Sequence, residues 1–305
     1  MRILGVDVSL GRGLDVVLLE DEVVKESWSR MGPSALTELL WTHRPDAVAI
    51  DAPPAVGLGL LRDEAERARL PVPPPTGKQL ARRIAEFELS RRGIGSHQTH
   101  YEEAKLFSWM TAGFETFKAA REAGYPSYLG KGKARRTALE VFPYASYVSM
   151  AGCLSPGRPW RLAWRRAVLA EAGLTGLPED AWIDLLDAAC AAFTGERFLQ
   201  GEGCFVGDSR EGVIVLPVHR LAEHYRRCAP PDTPIHAAGR VGTPRLCECG
   251  CGGPVQRRFL PGHDAKLRSR LVKEARAGWA ARRELARLGW TRALEALDTA
   301  DHEED

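Results

Sequence analysis

Residues 2–30 read RILGVDVSLGRGLDVVLLEDEVVKESWSR. RILGVDVSL, LDVVLLE and VVKESWSR are rich in β-branched residues and separated by the turn signals GRG and EDE, which predicts three consecutive strands in an antiparallel meander. A helix is expected from about Ser34 to His43. PDAVAIDAP (45–53) then supplies a short buried strand that ends at Asp51 and is stopped by Pro53 and Pro54. The chain therefore opens βββαβ.

Further along, Val56 to about Lys133 reads as a helical stretch broken by PVPPP (71–75) and containing KQLARRIAEFELSRRG (78–93), which Gly93 closes. It is expected as an insertion, about 56–135, over one end of the sheet. TALEVFPYA (137–145) predicts a fifth strand. Two amphipathic helices follow, one around Trp160 to Ala172 and one in PEDAWIDLLDAACAAFTGERFL (178–199). EGVIVLPV (211–218) reads as a last short strand, and APPDTPIHAAGR (229–240) as a linker. The expected domains are a core over 1–228, a linker over 229–243, a cysteine-rich module over 244–271, a basic helix over 272–298 and an acidic tail over 299–305.

The hydrophobic fraction of 44% and charged fraction of 27% are those of a folded globular chain of 305 residues, long enough for a substantial core. No apolar run reaches the roughly 18 residues of a membrane helix and no secretory h-region is visible, so a cytoplasmic protein is expected. Seven cysteines, three of them within 247–251, suit reduced thiols and metal binding better than disulfides. Between Arg240 and Arg292 there are 13 Lys or Arg against 4 Asp or Glu, a balance that suits a polyanionic partner such as nucleic acid.

Four acids fall at chemically informative places: Asp7 in the first strand, Asp51 at the tip of the fourth, Glu140 in the fifth and Asp187 in an amphipathic helix. If the first and fourth strands are parallel neighbours, Asp7 and Asp51 project into one small volume, and a helix packed on that face can add Asp187. In-line attack of water on a phosphodiester needs hard cations at the nucleophile and leaving oxygen, and Mg²⁺ or Mn²⁺ takes oxygen ligands. Each acid also has a plainer role open to it. Asp51 can cap an Asx-turn, Glu140 can pair with Arg82 or Arg136, and Asp184 shares a helix face with Asp187. An Asp inside ILGVDVSL is harder to explain as surface, because an unpartnered buried charge costs several kcal/mol.

GVDVSLG, AVAIDAPP, ARRIAEFELSRRGI, ALEVFPYA and LLDAACAAFT, in that order, resemble the family of predicted ribonuclease H-like nucleases catalogued as domain of unknown function 429, over roughly Met1 to Pro217. The resemblance implies an α/β ribonuclease H-like core related to the RuvC resolvase. That core is a mixed five-stranded sheet with helices on both faces. Asp7, Asp51, Glu140 and Asp187 match the family's acidic positions, with two Mg²⁺ or Mn²⁺ ions implied, and Glu86, Arg82 and Asp184 stand as accessory residues. An i, i+4 surface pair is the alternative for Glu86 and Arg82. Other readings remain. Actin-like phosphotransfer proteins share the core but need a second copy of it, which the sequence lacks. PPPTGKQ lacks the first glycine of a phosphate loop and has Gln79 where Ser or Thr would bind magnesium. A non-catalytic module for nucleic acid or protein is the remaining alternative.

RLCECGCGGPVQRRFLPGHDAKLRSRL (245–271) places Cys247, Cys249 and Cys251 twelve or more residues before His263, a set able to close a tetrahedral Zn²⁺ shell in a segment with little core of its own. Its CxCGC and FxxGH elements resemble small knuckles found beside phage-type and HNH nucleases. Free thiols in a flexible tail are the plainer alternative. Leu267, Leu271 and Ala275 follow helical spacing, with Lys266, Arg268, Arg270 and Lys273 available to phosphates. Trp279 and Trp290 suit either core packing or base stacking.

Overall fold

The structure is a computed structural model that describes residues 1–9, 11–70, 73–229, 249, 263–275, 281, 285, 288, 290 and 293. The chain divides into two units, Met1–Ala237 and Ala238–Asp305.

In the first unit, β1 (Arg2–Ser9), β2 (Gly13–Glu20) and β3 (Val23–Met31) form the expected antiparallel meander. Helix α1 (Pro33–His43) leads to β4 (Ala47–Asp51), which pairs parallel with β1. The insertion carries α2 (Glu64–Ala68), α3 (Ile84–Arg91) and α4 (Ser108–Glu122). Next come β5 (Ala138–Val141), α5 (Pro143–Ala151), α6 (Arg161–Glu171) and α7 (Ile183–Leu199), and the sheet ends with β6 (Cys204–Asp208) and β7 (Gly212–Leu216). The sheet has seven strands in the order β3-β2-β1-β4-β5-β7-β6. The expected five form one contiguous run from the β3 edge to β5, and the last expected strand is β7. The strand that pattern reading missed, CFVGD, is mostly half-exposed at the sheet edge and so lacks the apolar alternation that marks a buried strand. β1, β4 and β5 are parallel, β2 is antiparallel to β1, and β3, antiparallel to β2, runs the same way as β1, which is the order and direction expected of a ribonuclease H-like core.

Alternation along β1 decides which helix sees which residue. Ile3 belongs to the core shared with α7, while Leu4, Val6 and Val8 belong to the core shared with α1 and α4. Gly5 lies on the α7 side, where a Cβ would come 2.1 Å from the carbonyl oxygen of Ala188. The helix therefore rests directly on the strand, and glycine at 5 is what permits it. Asp7, two residues on, faces the same helix.

The expected helix over 78–93 is broken. A single 3-10 turn, Gly77–Ala81, precedes α3, and Arg83 sits at the extended position before the helix rather than inside it. The expectation of reduced thiols is also corrected. Cys153, in the loop after α5, is disulfide-bonded to Cys228, 75 residues later, with Cα atoms 5.2 Å apart. No helix among the described residues is long and apolar enough to cross a membrane.

In the second unit, α8 (His263–Ala275) buries Leu267, Leu271 and Ala275 against Ala281, Leu285 and Leu288, with Trp290 packed beside them. The apolar stripe is thus core, and Trp290 is part of it. Of the linker expected over 229–243, all but residue 229 lies outside the described residues, as do Trp279 and the tail over 299–305.

Candidate metal centre

A hairpin centred on Gly11 and a parallel neighbour place three acids in a row. Asp7 is in register with Asp15 on β2 and with Asp51 on β4. Register partners point to one face of a sheet, here the face covered by α7, whose first turns add Asp184 and Asp187. The Asp7 and Asp51 carboxyl groups lie close enough to interact directly. Burial first, then the charges of Asp51, Asp187, Asp184 and Asp15, holds the Asp7 carboxyl well above the usual range. Burial and then the Asp187 charge do the same to Asp51, against the lowering effect of its direct interaction with Asp7. Burial pushes Asp187 up to about 6, although Arg165 of α6 opposes this with two hydrogen bonds of 2.8 and 3.2 Å. Arg165 is itself buried and lies over the Tyr147 ring, 5.3 Å from its centroid.

Asp15 did not stand out in the sequence. It is 3% exposed, and its Oδ1 has no hydrogen-bond partner among the described residues. Asp7, Asp15 and Asp184 each present an oxygen within 4.8 Å of the others. An all-oxygen set with an unpartnered buried carboxylate suits a hard divalent cation such as Mg²⁺ or Mn²⁺ rather than zinc. Asp184 also meets Arg12 at 3.1 Å. The signal for Asp15 was present, because a hairpin turning at Gly11 pairs residues that are equally distant from it.

The family model described as "Protein of unknown function (DUF429)" matches residues 5–211. The chain belongs to this family. No curated protein matches it. A solved structure, described as Thermus thermophilus RuvC structure, is similar at 17% identity over 63% of this chain and 91% of that one, with a TM-score of 0.33.

In this DUF429 chain Glu140 has surroundings unlike those of the aspartates. Its register partner is Ile50, and its neighbours along β5, Leu139 and Val141, face α7, so Glu140 points to the opposite face. Arg83, neither Arg82 nor Arg136, is its partner. Arg83 donates to Glu140 Oε2 at 2.9 Å and makes a short bond to Oε1, and its Nε donates to Glu86 Oε1 at 3.1 Å. All three side chains are buried. Burial raises the Glu140 carboxyl above its ordinary value in spite of Arg83. Buried Glu211, also unremarked in the sequence, accepts from the backbone N–H of Leu58, Leu60 and Ile84 and so pins the insertion beside this network.

Arg82 and Glu86 do meet the chain near the acids, through one loop. Arg82 donates to the carbonyl oxygen and Oγ of Ser96 at 3.1 and 3.0 Å, and Glu86 accepts from the Thr99 N–H at 3.0 Å. Ser96, His97 and Thr99 line a cleft of about 210 Å³ together with Asp51, Glu140 and Trp109. Asp51 and Glu140 thus reach one cleft from opposite faces of the sheet, at the carboxyl ends of their strands.

In the second unit Cys249 Sγ lies 3.2 Å from His263 Nδ1, so two of the four expected zinc ligands are adjacent. Cys247 and Cys251 lie outside the described residues.

Proposed function

We propose that this protein is a divalent-metal-dependent nuclease that hydrolyses phosphodiester bonds of DNA or RNA. The observation that carries this reading is Asp7, flanked in register by Asp15 and Asp51 under a helix that presents Asp184 and Asp187. Such a set holds more buried acid than Arg165 and Arg12 neutralise, which favours cation capture. Mg²⁺ or Mn²⁺ bound there, two ions in the fullest form of the reading, supplies Lewis acidity toward the phosphodiester and its attacking water.

The protein's own groups have separable tasks. Asp7, central in the row, is the shared ligand, Asp51 faces the cleft, and Asp15 and Asp184 complete the oxygen set on the β2 side. Arg165 fixes the Asp187 carboxylate in one orientation by its two hydrogen bonds. Arg83 acts on Glu140 in the same way, which makes Glu140 a positioning residue at the cleft floor. In the second unit, Zn²⁺ held by Cys247, Cys249, Cys251 and His263 would be structural, and the cationic residues of α8 would face nucleic-acid phosphates. A cytoplasmic address fits this substrate.

The experiment is incubation with labelled single-stranded, duplex and branched DNA and RNA in Mg²⁺, in Mn²⁺ and in EDTA. Cleavage that EDTA and Asp7→Asn each abolish is expected. If no substrate is cut in an EDTA-sensitive way, the nuclease reading fails. Binding without cleavage would favour a non-catalytic module.

A further inference from the structure

The cleft beside Asp51 is only partly explained by metal binding. The rings of His97 and Trp109 line it and meet edge-on with centroids 5.9 Å apart, and His97 also meets Phe107 edge-on at 4.9 Å. His97 is exposed and Phe107 is 47% exposed, while Trp109 is half-buried, packed in part against the core shared with α1 and α4, so each ring keeps some open surface. The loop that carries His97 is held on both sides, by Arg82 at Ser96 and by Glu86 at Thr99, with Arg83 fixing Glu86 in turn. The half-buried Arg82 and the buried Arg83–Glu86 pair therefore hold an aromatic platform in place. At the other end the cleft is lined by Asp51, which belongs to the acidic row.

Apolar walls, a few polar groups and a volume of about 210 Å³ suit one planar ring system rather than a duplex. We propose that the cleft is a base-stacking subsite, in which Trp109 and His97 receive one unpaired nucleobase while the adjoining phosphodiester lies at the Asp7 cluster. The substrate class is then nucleic acid that presents an unpaired or extruded nucleotide. A base inside a duplex is already stacked and cannot enter a cavity without being flipped out, whereas a single strand offers its bases freely. The inference rests on the nuclease reading for its choice of nucleic acid. Its test does not need cleavage.

Full-length Asp7→Asn protein in Mg²⁺ is titrated with a 2-aminopurine oligonucleotide as single-stranded DNA, as single-stranded RNA and paired in a duplex, following fluorescence and affinity. Quenching on binding to at least one of the single strands is expected, with affinity at least about ten-fold above the duplex. Trp109→Ala in the same background weakens that binding by roughly ten-fold, the size of one lost base–aromatic stack. Trp109→Phe retains most of it. His97→Ala, at an exposed position, gives a second reading should Trp109→Ala fail to fold. Equal affinity for duplex and single strand, or less than about a two-fold effect of both alanine variants, overturns the proposal. Binding and quenching by a wild-type protein that cleaves nothing would leave the subsite standing and sink the nuclease. Cleavage untouched by either alanine variant would do the reverse.

Discussion

Replacing Arg83 by Met tests whether the cleft floor is held by a buried ion triad. Arg83 is 2% exposed, Glu86 2% and Glu140 4%, and no other cation is hydrogen-bonded to either carboxylate among the described residues. Met fills much of the side-chain volume but supplies neither charge nor donors, leaving two buried carboxylates to be neutralised by protons. Breaking a buried pair from one side costs about 3–5 kcal/mol, which in a unit of this size lowers Tm by roughly 6–20 °C. The pH dependence gives the mechanism a signature. The Glu140 carboxyl is raised in the folded state even with Arg83 present, so its ionisation costs stability, and that cost grows when Arg83 is lost. Since the raised group holds its proton more tightly folded than unfolded, the destabilisation is full above the folded pKa and shrinks as pH falls toward the unfolded value. Urea denaturation followed by far-UV circular dichroism at pH 7.5 and pH 5 measures both effects. The triple variant Arg83→Met, Glu86→Gln, Glu140→Gln recovers more than half of the loss. A loss below about 1 kcal/mol for Arg83→Met at pH 7.5, or no recovery in the triple variant, would refute the argument.

Asp187 titrates near 6 in the cation-free protein, above the ordinary 3.8, so the apo fold loses stability as pH rises from about 4 to 6, by about 3 kcal/mol for this group. A bound cation offsets that loss only where the carboxylates are ionised, so Mn²⁺ should raise Tm more at pH 7.5 than at pH 5 and release protons measurable by calorimetry in two buffers. An equal shift at both pH values would count against carboxylate ligation. The Cys153–Cys228 bond closes a loop of 75 residues, worth about 4 kcal/mol by chain entropy. Cys153→Ser should lose most of it, and in the denatured, EDTA-treated wild-type chain two fewer cysteines should be alkylated before reduction than after it. Elemental analysis should find about one zinc per chain, lost in Cys249→Ser; retention of the zinc in that variant would exclude Cys249 as a ligand.

How far the sequence reaches is clearest residue by residue. The opening strands, α1, β4 and the aspartates on them follow from local alternation and from turn residues, since each is specified by a few neighbours along the chain. Asp7 was conspicuous because a charge inside an apolar strand requires a purpose. Asp15 is in the same situation within LDVVLLE, yet it becomes informative only through the cross-strand register that sets it beside Asp7. Arg83 and Arg82 are adjacent and chemically identical. Their opposite destinations, Glu140 and Ser96, depend on where the chain leaves the 3-10 turn and enters α3. Arg165 on Asp187 and Cys228 on Cys153 are likewise unreadable from spacing, at separations of 22 and 75 residues. What the sequence alone determined was therefore the succession of elements and which acids would be costly to bury. Which charge each acid meets, and which face of the sheet it occupies, was decided by packing, because those contacts join parts of the chain that carry no pattern in common.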